Sequence, residues 1–285
     1  MSFILKSYAK INLFFDVLER LENGYHNIIT LYSEVNIYDT LKFSLTKNNE
    51  FKIIANIQDL NNQDNLIFQI GVYIKDRYSV QCGAKIELKK NIPIAAGLGG
   101  GSSNGAATIK GLSHLWGLNI PPAERHAIAS QFGSDLNFFL EGYLAKGTNR
   151  GEIIESIDHD LYCQNLLLVN PLFPITSKEA YQLIDLTTLR ARDECEASLQ
   201  LILQQKDFRF CYNRLEAGIC QKYPALQKLL HLLKEFGAVQ SIVSGSGATC
   251  IGFFNNPLSC SKAKKKMDQL NYWSQITSTR RRQKT

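Results

Sequence analysis

Pro93-Ile-Ala-Ala-Gly-Leu-Gly-Gly-Gly-Ser-Ser103 is a glycine-rich segment between a strand predicted at Lys85–Lys89 and a helix predicted from about Ser103 to Trp116. Three adjacent glycines carry an entropic cost, so a chain retains them where the backbone must approach another group closely. Free N–H groups at a helix N-terminus bind phosphate oxygens. Ser102 or Ser103 can cap the helix and offer a hydroxyl to a phosphate or to Mg²⁺. A flexible connection is the alternative, but the position before a helix favours phosphate binding.

This segment fits neither common nucleotide-binding pattern. No Lys-Ser/Thr pair follows the glycines, which excludes a Walker loop, and Ser102 stands where G-x-G-x-x-G requires its third glycine. A second glycine turn, Ser244-Gly-Ser-Gly-Ala-Thr249, joins two short apolar strands late in the chain. A hairpin turn explains the second turn about as well as a ligand-binding loop does.

The composition is that of a packed globular protein. The chain has 285 residues, of which 45% are hydrophobic and 20% charged, enough for one large domain or two ordinary ones. No apolar run approaches the roughly 20 residues of a membrane helix. The apolar N-terminal residues are predicted to form the first strand and not a signal peptide. The seven scattered cysteines, without a C-x-x-C pair, predict reduced and mostly buried thiols in a cytoplasmic protein without structural zinc.

The formal charge of +6 is concentrated in part in two clusters, Lys262–Lys266 and Arg280–Lys284. We predict a solvated helix face followed by a frayed tail. A nucleic-acid-binding patch is the alternative, but no aromatic residues interleave with the tail as stacking partners. A net positive charge also suits an enzyme whose substrates carry phosphates.

Strands dominate the predicted first half of the chain, and strands alternate with helices in the second, which predicts an α+β fold. Asp64 is predicted to cap a helix through Leu66, Ile70 and Ile74. A domain change is predicted near residues 157–164, giving domains at 1–159 and 160–285. The predicted strands are Ile11–Leu18, Ile28–Ile37, Thr40–Leu45, Phe51–Ala55, Gly142–Lys146, Ile153–Ile157, Leu166–Val169, Ser241–Val243, Thr249–Phe254 and Trp273–Ile276. One further helix is predicted to begin at Pro121-Pro122. The other predicted helices span Ser177–Leu186, Cys195–Gln205, Tyr212–Lys222, Pro224–Phe236 and Pro257–Leu270.

Both glycine segments resemble those of the galactokinase–homoserine kinase–mevalonate kinase–phosphomevalonate kinase (GHMP) superfamily. The segments Tyr8-Ala-Lys-Ile-Asn-Leu13, Asn23-Gly-Tyr-His26 and Gly133-Ser-Asp135 narrow the resemblance to the 4-diphosphocytidyl-2-C-methyl-D-erythritol kinases. Thr30-Leu-Tyr32, Asp39-Thr-Leu41 and Lys178-Glu-Ala-Tyr181 add to it, and the matches follow the family order over nearly the whole chain.

The resemblance implies a two-domain GHMP kinase fold, with a ribosomal-S5-like N-terminal, ATP-binding domain and a ferredoxin-like C-terminal domain. It implies ATP-dependent phosphorylation of the 2-hydroxyl of a cytidine-diphosphate-linked methylerythritol, a step of non-mevalonate isoprenoid synthesis. ATP would bring Mg²⁺ with it, without a dedicated protein metal site. The expected partners are small molecules and neither nucleic acid nor membrane, and the expected state is a monomer or weak homodimer.

Lys10 and Asp135 match the family's catalytic pair. Phosphoryl transfer requires mainly positioning and charge stabilisation, so Asp135 would orient the acceptor hydroxyl while Lys10 offsets phosphoryl charge. Without the resemblance, an ordinary strand lysine explains Lys10 better than a catalytic role does. A helix N-cap likewise explains Asp135 better. The resemblance assigns ATP binding to Pro93, Ala95, Ala96, Gly97, Leu98, Gly99, Gly100, Gly101, Ser102 and Ser103.

The resemblance also implies how the acceptor is bound. Tyr25 and His26 would frame the cytosine, with Tyr181 as a stacking partner and Ser177 one helical turn before it on the same face. Hairpin packing is the structural alternative for a Gly-Tyr-His segment. The complete set of implied acceptor-binding residues is Asn12, Tyr25, His26, Ser177, Tyr181 and Gly245.

Three positions depart from the family pattern. Asn137 replaces a usual proline, Arg214 replaces a frequent aspartate, and Gly105 replaces an alanine and is expected to loosen the first turn of its helix. Two other functions stay open: a mevalonate- or homoserine-type kinase, and a non-catalytic nucleotide or RNA binder. The Asn-Gly-Tyr-His segment argues against the first, and retention of Lys10 and Asp135 argues against the second.

Overall fold

The computed structural model describes residues 2–282, which divide into two compact units. The first unit comprises the chain up to Ala9, Ile37–Pro93 and Gly99–Glu141. The second comprises Lys10–Asn36, Ile94–Leu98 and the described chain from Gly142 onward. The two compact units are therefore interleaved along the sequence. The predicted domains at 1–159 and 160–285 are consecutive stretches of sequence, and they stay a prediction.

The elements follow each other along the chain as mixed strands and helices. The strands are β1 (Ser2–Arg20), β2 (His26–Thr46), β3 (Phe51–Ala55), β4 (Gly83–Lys89), β5 (Leu144–Asn149), β6 (Ile153–Ser156), β7 (Asn165–Asn170), β8 (Tyr212–Asn213), β9 (Gln240–Val243), β10 (Cys250–Phe254) and β11 (Trp273–Thr277). The α-helices are α1 (Leu66–Arg77), α2 (Gly100–Leu115), α3 (Pro122–Phe132), α4 (Asp135–Glu141), α5 (Ser177–Gln182), α6 (Arg192–Gln205), α7 (Glu216–Lys222), α8 (Pro224–Glu235) and α9 (Pro257–Gln269).

In the first unit, helices α1 to α4 accompany a sheet formed by β3, β4 and the second half of β2. Strand β4 is antiparallel to β2, with Thr40 opposite Lys89, and β3 is parallel to β4. The alternation predicted for β4 is confirmed, because Ile86 and Leu88 are buried in the core between residues that face outward.

Gly105 allows helix α2 to pack closely on its neighbours in the first unit. A Cβ at this position would lie 2.9 Å from Ile70 Cδ1 and 3.0 Å from Leu136 Cδ2. Leu136 belongs to α4, which begins at Asp135, so an alanine at position 105 would push on the helix that carries Asp135. The close packing gives a structural reason for a glycine at this position, and the expected loosening of the turn stays a prediction.

Two predicted helix starts are also wrong. The cap of α1 is Asn65 and not Asp64, because the Asn65 side chain accepts a hydrogen bond from Ile67 N at 3.0 Å. Helix α2 begins at Gly100, and its N-cap is Gly99, whose φ of 65° lies in the left-handed region. Ser102 and Ser103 therefore lie inside the first turn and do not cap it.

The second unit contains two sheets. In the first, β5 is antiparallel to the first half of β2 and to β6, and β8 is parallel to β1, with Phe14 opposite Tyr212. The helix predicted from Tyr212 is wrong in its first turn, because Tyr212 and Asn213 extend along β1 and the helix begins at Glu216. Pairing with a distant strand overrides the local pattern there.

The second sheet is antiparallel, with the spatial order β11-β7-β10-β9. Numbered among these four strands, the order is 4-1-3-2, and helices lie between β7 and β9 and between β10 and β11 along the chain. This is the ferredoxin-like arrangement, so that prediction is confirmed. Helix α8 buries Leu226, Leu229 and Leu233 in the core of this unit.

The C-terminal segment lies against β2 of the second unit. Arg280 N donates to Glu34 O at 2.9 Å, and the Arg280 guanidinium pairs with the Glu34 carboxylate and lies 4.6 Å from the Tyr143 ring centroid. The predicted frayed tail is therefore wrong at Arg280, whereas Arg281 and Arg282 are exposed and Lys284 lies outside the described residues.

All seven cysteines are free thiols, and six of them are buried, as predicted. In the part of the chain that the structure describes, no helix has both the length and the apolar character needed to cross a membrane.

Candidate active site

A chain of hydrogen bonds orients Lys10 in the second unit. Lys10 Nζ donates to Asn12 Oδ1, Asn12 Nδ2 donates to Thr30 Oγ1, and Thr30 Oγ1 donates to Phe14 O, each at 2.8 Å. Lys10 is only 5% exposed and Asn12 1% exposed. A buried ammonium needs such partners, and the chain explains why these two predicted residues occupy alternate positions of one strand.

The second glycine turn lies directly beside this pair, so its ligand-loop interpretation gains support over a simple hairpin. A Cβ at Gly245 would be 2.9 Å from Asn12 Oδ1 and 3.5 Å from Lys10 Nζ. Asn213 stabilises the turn, because its Nδ2 donates to Val243 O and Gly245 O at 2.8 Å each.

We expect Gly245→Ala to lower kcat/KM by about ten- to hundred-fold, because the new methyl group displaces Asn12 and with it Lys10. The left-handed φ of 54° adds backbone strain of about 1–2 kcal/mol. Steady-state kinetics and chemical unfolding measure the two effects separately. Gly237→Ala is the matched control, since Gly237 also has a positive φ but its nearest neighbour, Ser259, lies 3.4 Å from the added Cβ. Equal activity of the two variants would contradict the role of Gly245.

Residues 95–98 of the first glycine segment also belong to the second unit. Lys10 N donates to Leu98 O at 2.9 Å, and Thr249 N donates to Ala96 O at 3.3 Å. Ser244 Oγ donates to Gly97 O at 3.2 Å. The two glycine segments and the lysine strand are therefore joined by hydrogen bonds within one unit.

Gly99 to Ser103 belong to the first unit, together with Pro93, and lie over a buried polar network. Ser7 Oγ donates to Ser103 Oγ at 2.7 Å, and Asn104 Nδ2 donates to Asp39 Oδ2 at 2.9 Å. Asp39 Oδ2 also accepts from Lys90 Nζ at 2.6 Å, and Asp39 Oδ1 accepts from two backbone amides. A Cβ at Gly100 would lie 2.8 Å from Lys90 Nζ. The network contacts the first turn of α2, where the free amides of the predicted phosphate site lie.

An imidazole and a phenol ring form a stack in the second unit. The rings of His26 and Tyr181 are 4.8 Å apart and inclined by 21°, and Phe15 packs edge-on against Tyr181. Burial, together with the positive charge of Arg20, lowers the pKa of His26, so the imidazole is neutral at pH 7. A neutral imidazole can donate and accept hydrogen bonds, as recognition of a base edge requires.

The remaining predicted acceptor-binding residues are also in the second unit. Tyr25 is 56% exposed, with the Arg150 guanidinium 5.1 Å from its ring centroid. Ser177 begins α5, four residues before Tyr181, as predicted, and its Oγ lies 3.4 Å from Ser246 Oγ of the second glycine turn.

Asp135 is the first residue of α4 in the first unit and is half-buried. Asn137, at the position where a proline is usual in the family pattern, donates from Nδ2 to Ser130 Oγ of α3 at 2.9 Å. The departure therefore joins α3 to the helix that begins with Asp135.

The family models match both halves of the chain. Residues 65–142 match the GHMP kinases N terminal domain, and residues 198–272 match the GHMP kinases C terminal family. A 4-diphosphocytidyl-2-C-methyl-D-erythritol kinase of Thermodesulfovibrio yellowstonii is 34% identical over 282 residues, with 96% of each chain covered. One of Thermoanaerobacter pseudethanolicus is 38% identical over 88% of this chain and 87% of its own. This chain is a GHMP kinase of the 4-diphosphocytidyl-2-C-methyl-D-erythritol kinase family.

Solved structures agree with the fold of this GHMP kinase. A crystal structure of 4-(cytidine 5'-diphospho)-2C-methyl-D-erythritol kinase has a TM-score of 0.83 at 23% identity, with 98% of this chain and 100% of that chain covered. The Methanococcus jannaschii mevalonate kinase has a TM-score of 0.72 at 14% identity, covering 99% of both chains. The predicted two-domain GHMP kinase fold and the prediction of a kinase are confirmed.

The sequence interpretation missed a buried ion cluster of this kinase, and the cluster accounts for Arg214. Asp16 is fully buried on β1, and its two oxygens accept from Arg214 Nε and Arg190 Nε, each at 2.7 Å. The arginine at position 214 therefore helps to neutralise a buried carboxylate that would otherwise have Arg190 as its one charged partner. The β-branched and aromatic residues of Ile11–Leu18 predicted a strand that includes Asp16, but neither arginine is near Asp16 in sequence.

Proposed function

We propose that this kinase transfers the γ-phosphoryl group of ATP to the 2-hydroxyl of 4-diphosphocytidyl-2-C-methyl-D-erythritol, a step in the non-mevalonate synthesis of isoprenoid precursors. The observation that supports this acceptor most directly is the stack of His26 on Tyr181 in the same unit as the Lys10–Asn12 pair. A tyrosine ring stacked on a neutral imidazole suits a pyrimidine base, which mevalonate and homoserine do not have. The named relatives supply the identity of the whole acceptor.

Lys10 and Asp135 are proposed to act on the reacting groups. Asp135 would orient the acceptor hydroxyl and accept its proton late, because a carboxylate is too weak a base to remove it before bond formation. The Lys10 ammonium, oriented by Asn12, would stabilise the negative charge of the transferring phosphoryl group. This division of roles needs positioning and charge, which is what phosphoryl transfer requires from a protein.

The first glycine segment is proposed to hold the ATP phosphates on backbone amides. Gly101 is exposed, with open space where a side chain would be, so phosphate oxygens can approach the first turn of α2. Within residues 2–282 no three His, Cys, Asp or Glu side chains converge as metal ligands. Mg²⁺ is held mainly by substrate phosphates, waters and one or two carboxylates in enzymes of this kind, so we propose that it enters with ATP.

The partners that we propose are the two small-molecule substrates. We propose further that the kinase acts in the cytoplasm, without nucleic-acid or membrane partners, as a monomer or weak homodimer. Six buried free thiols are compatible with a reducing compartment.

ADP release with ATP and Mg²⁺ tests the acceptor. We expect turnover with the cytidylated methylerythritol and at least hundred-fold lower kcat/KM with mevalonate or homoserine, because a site built for a base leaves its polar groups unpaired without one. Comparable turnover with either of these alcohols would contradict the proposed acceptor while leaving the kinase assignment intact.

A further inference from the structure

The turn between β5 and β6 presents an arginine beside the proposed base site. Glu152 organises this turn, because its Oε2 accepts from Arg150 N at 2.8 Å and its Oε1 accepts from Asn149 Nδ2 at 2.7 Å. Arg150 Nε also donates to Glu152 Oε1 at 3.3 Å. The backbone and the side chain of Arg150 are thus both held by one carboxylate.

The Arg150 guanidinium is held on a second side by the ring of Tyr25, 5.1 Å from its centroid. These two contacts leave the Nη1 and Nη2 groups without an acceptor among the hydrogen bonds of the described residues, and the side chain is 33% exposed. A planar guanidinium with two outward N–H edges matches the oxygens of a phosphate. Because the contacts with Tyr25 and Glu152 restrict the guanidinium beforehand, little further entropy is lost on binding.

The same turn extends toward the surroundings of Lys10. A Cβ at Gly151 would lie 2.6 Å from Tyr32 Oη, and the Tyr32 ring centroid is 5.4 Å from Lys10 Nζ. The turn therefore contacts one aromatic residue of the proposed base site and another beside the proposed phosphoryl-transfer lysine. An acceptor that extends from base to polyol carries its diphosphate between these two ends.

We propose that Arg150 binds the diphosphate of the acceptor through its Nη groups, an inference that rests on the proposed function. The diphosphate brings at least two negative charges into the site, and Lys10 is occupied at the polyol end. Arg150 supplies a charge-assisted contact in the middle of the substrate. The sequence alone does not indicate this role, because a turn arginine followed by Gly-Glu has no pattern typical of a ligand site.

A comparison of CDP binding with cytidine binding distinguishes two roles of Arg150, a direct contact with phosphate and support of the Tyr25 ring. Isothermal titration of the full chain with each ligand is repeated for Arg150→Gln and Arg150→Lys. We expect Arg150→Gln to weaken CDP binding by about ten- to hundred-fold and to change cytidine binding less than about two-fold. Arg150→Lys should recover part of the CDP affinity, since lysine keeps the charge without the planar fork. Arg209→Gln is the matched control, because Arg209 is an exposed arginine paired with Asp207 two residues away.

Each outcome decides the role of Arg150. Equal weakening of CDP and cytidine would show that Arg150 acts only by holding Tyr25, and unchanged CDP binding would exclude any contact. Either result, with normal binding by the wild-type protein, overturns this proposal alone. Failure of the wild-type protein to bind CDP would overturn the proposed acceptor and this proposal with it. Thermal unfolding of each variant, expected within a few degrees of wild type, excludes misfolding as the cause.

Discussion

Asp135→Asn is expected to lower kcat by about 10²- to 10⁴-fold while the dissociation constants for ATP and the acceptor change little. Asparagine keeps the shape of the side chain and its place at the start of α4, but it cannot accept the hydroxyl proton during phosphoryl transfer. Single-turnover measurements of ADP formation, together with equilibrium binding of each substrate, separate the chemical step from binding. A variant that retains near wild-type kcat would contradict the role assigned to Asp135.

Asp193→Asn is the control for helix effects in this experiment. Asp193 lies in the first turn of α6 and is exposed, so it shares with Asp135 only its position near a helix start. Loss of a negative charge at that place costs about 0.3–1 kcal/mol of stability. A similar small loss of stability in both variants, with loss of kcat only in Asp135→Asn, would assign the kinetic effect to chemistry.

Asp39→Asn is expected to lower the free energy of unfolding by about 3–5 kcal/mol. The Asp39 carboxylate is fully buried and accepts hydrogen bonds from Lys90, Asn104 and the amides of Asn91 and Ile92. Without the charge, the buried Lys90 ammonium has only uncharged acceptors, such as the Ile92 carbonyl. Burial already lowers the pKa of Lys90 and the Asp39 charge opposes that effect, so in the variant the lysine gives up its proton more readily, which limits the cost.

Urea unfolding of the single and double variants tests this account. We expect Asp39→Asn/Lys90→Met to recover a substantial part of the lost stability, because a pair of charges replaced by uncharged groups leaves no charge unpaired. The single variant Lys90→Met should cost less than Asp39→Asn, since Asp39 keeps three other donors. Equal destabilisation by the single and double variants would exclude the charge pair as the cause. A raised KM for ATP in a folded Asp39→Asn protein would show that the network also positions the first turn of α2.

Local patterns predicted most elements well and failed where distant residues compete. The alternation of β4 and the proline-initiated helices α3, α8 and α9 follow from residue periodicity and local backbone preference. Tyr212 and Asn213 form a strand only because Phe14 and Phe15 are available as partners. The start of α2 moved to Gly100 because Gly99 can adopt a left-handed conformation, so no serine cap is needed.

The residues of the candidate site came from the family resemblance, and their roles stay a prediction. Every residue that the family resemblance assigned was placed in one of the two units, and the Lys10–Asn12 and His26–Tyr181 pairs are in direct contact within the second. Arg150, the Asp16 cluster and the Asp39 network were not predicted. Their partners lie up to 198 residues apart in sequence, as for Arg214 and Asp16, and no periodicity encodes such pairs.

The glycine-rich segment at 93–103 was enough to favour phosphate binding, because backbone access and a helix start are local properties. The prediction of a kinase came from the family resemblance. The residues that would select the acceptor were recognisable only as a family motif. Tertiary structure alone decided that residues 95–98 and 99–103 of this one segment belong to different units. It also decided which charges are buried together, because burial and ion pairing depend on contacts that form only when distant strands and turns meet.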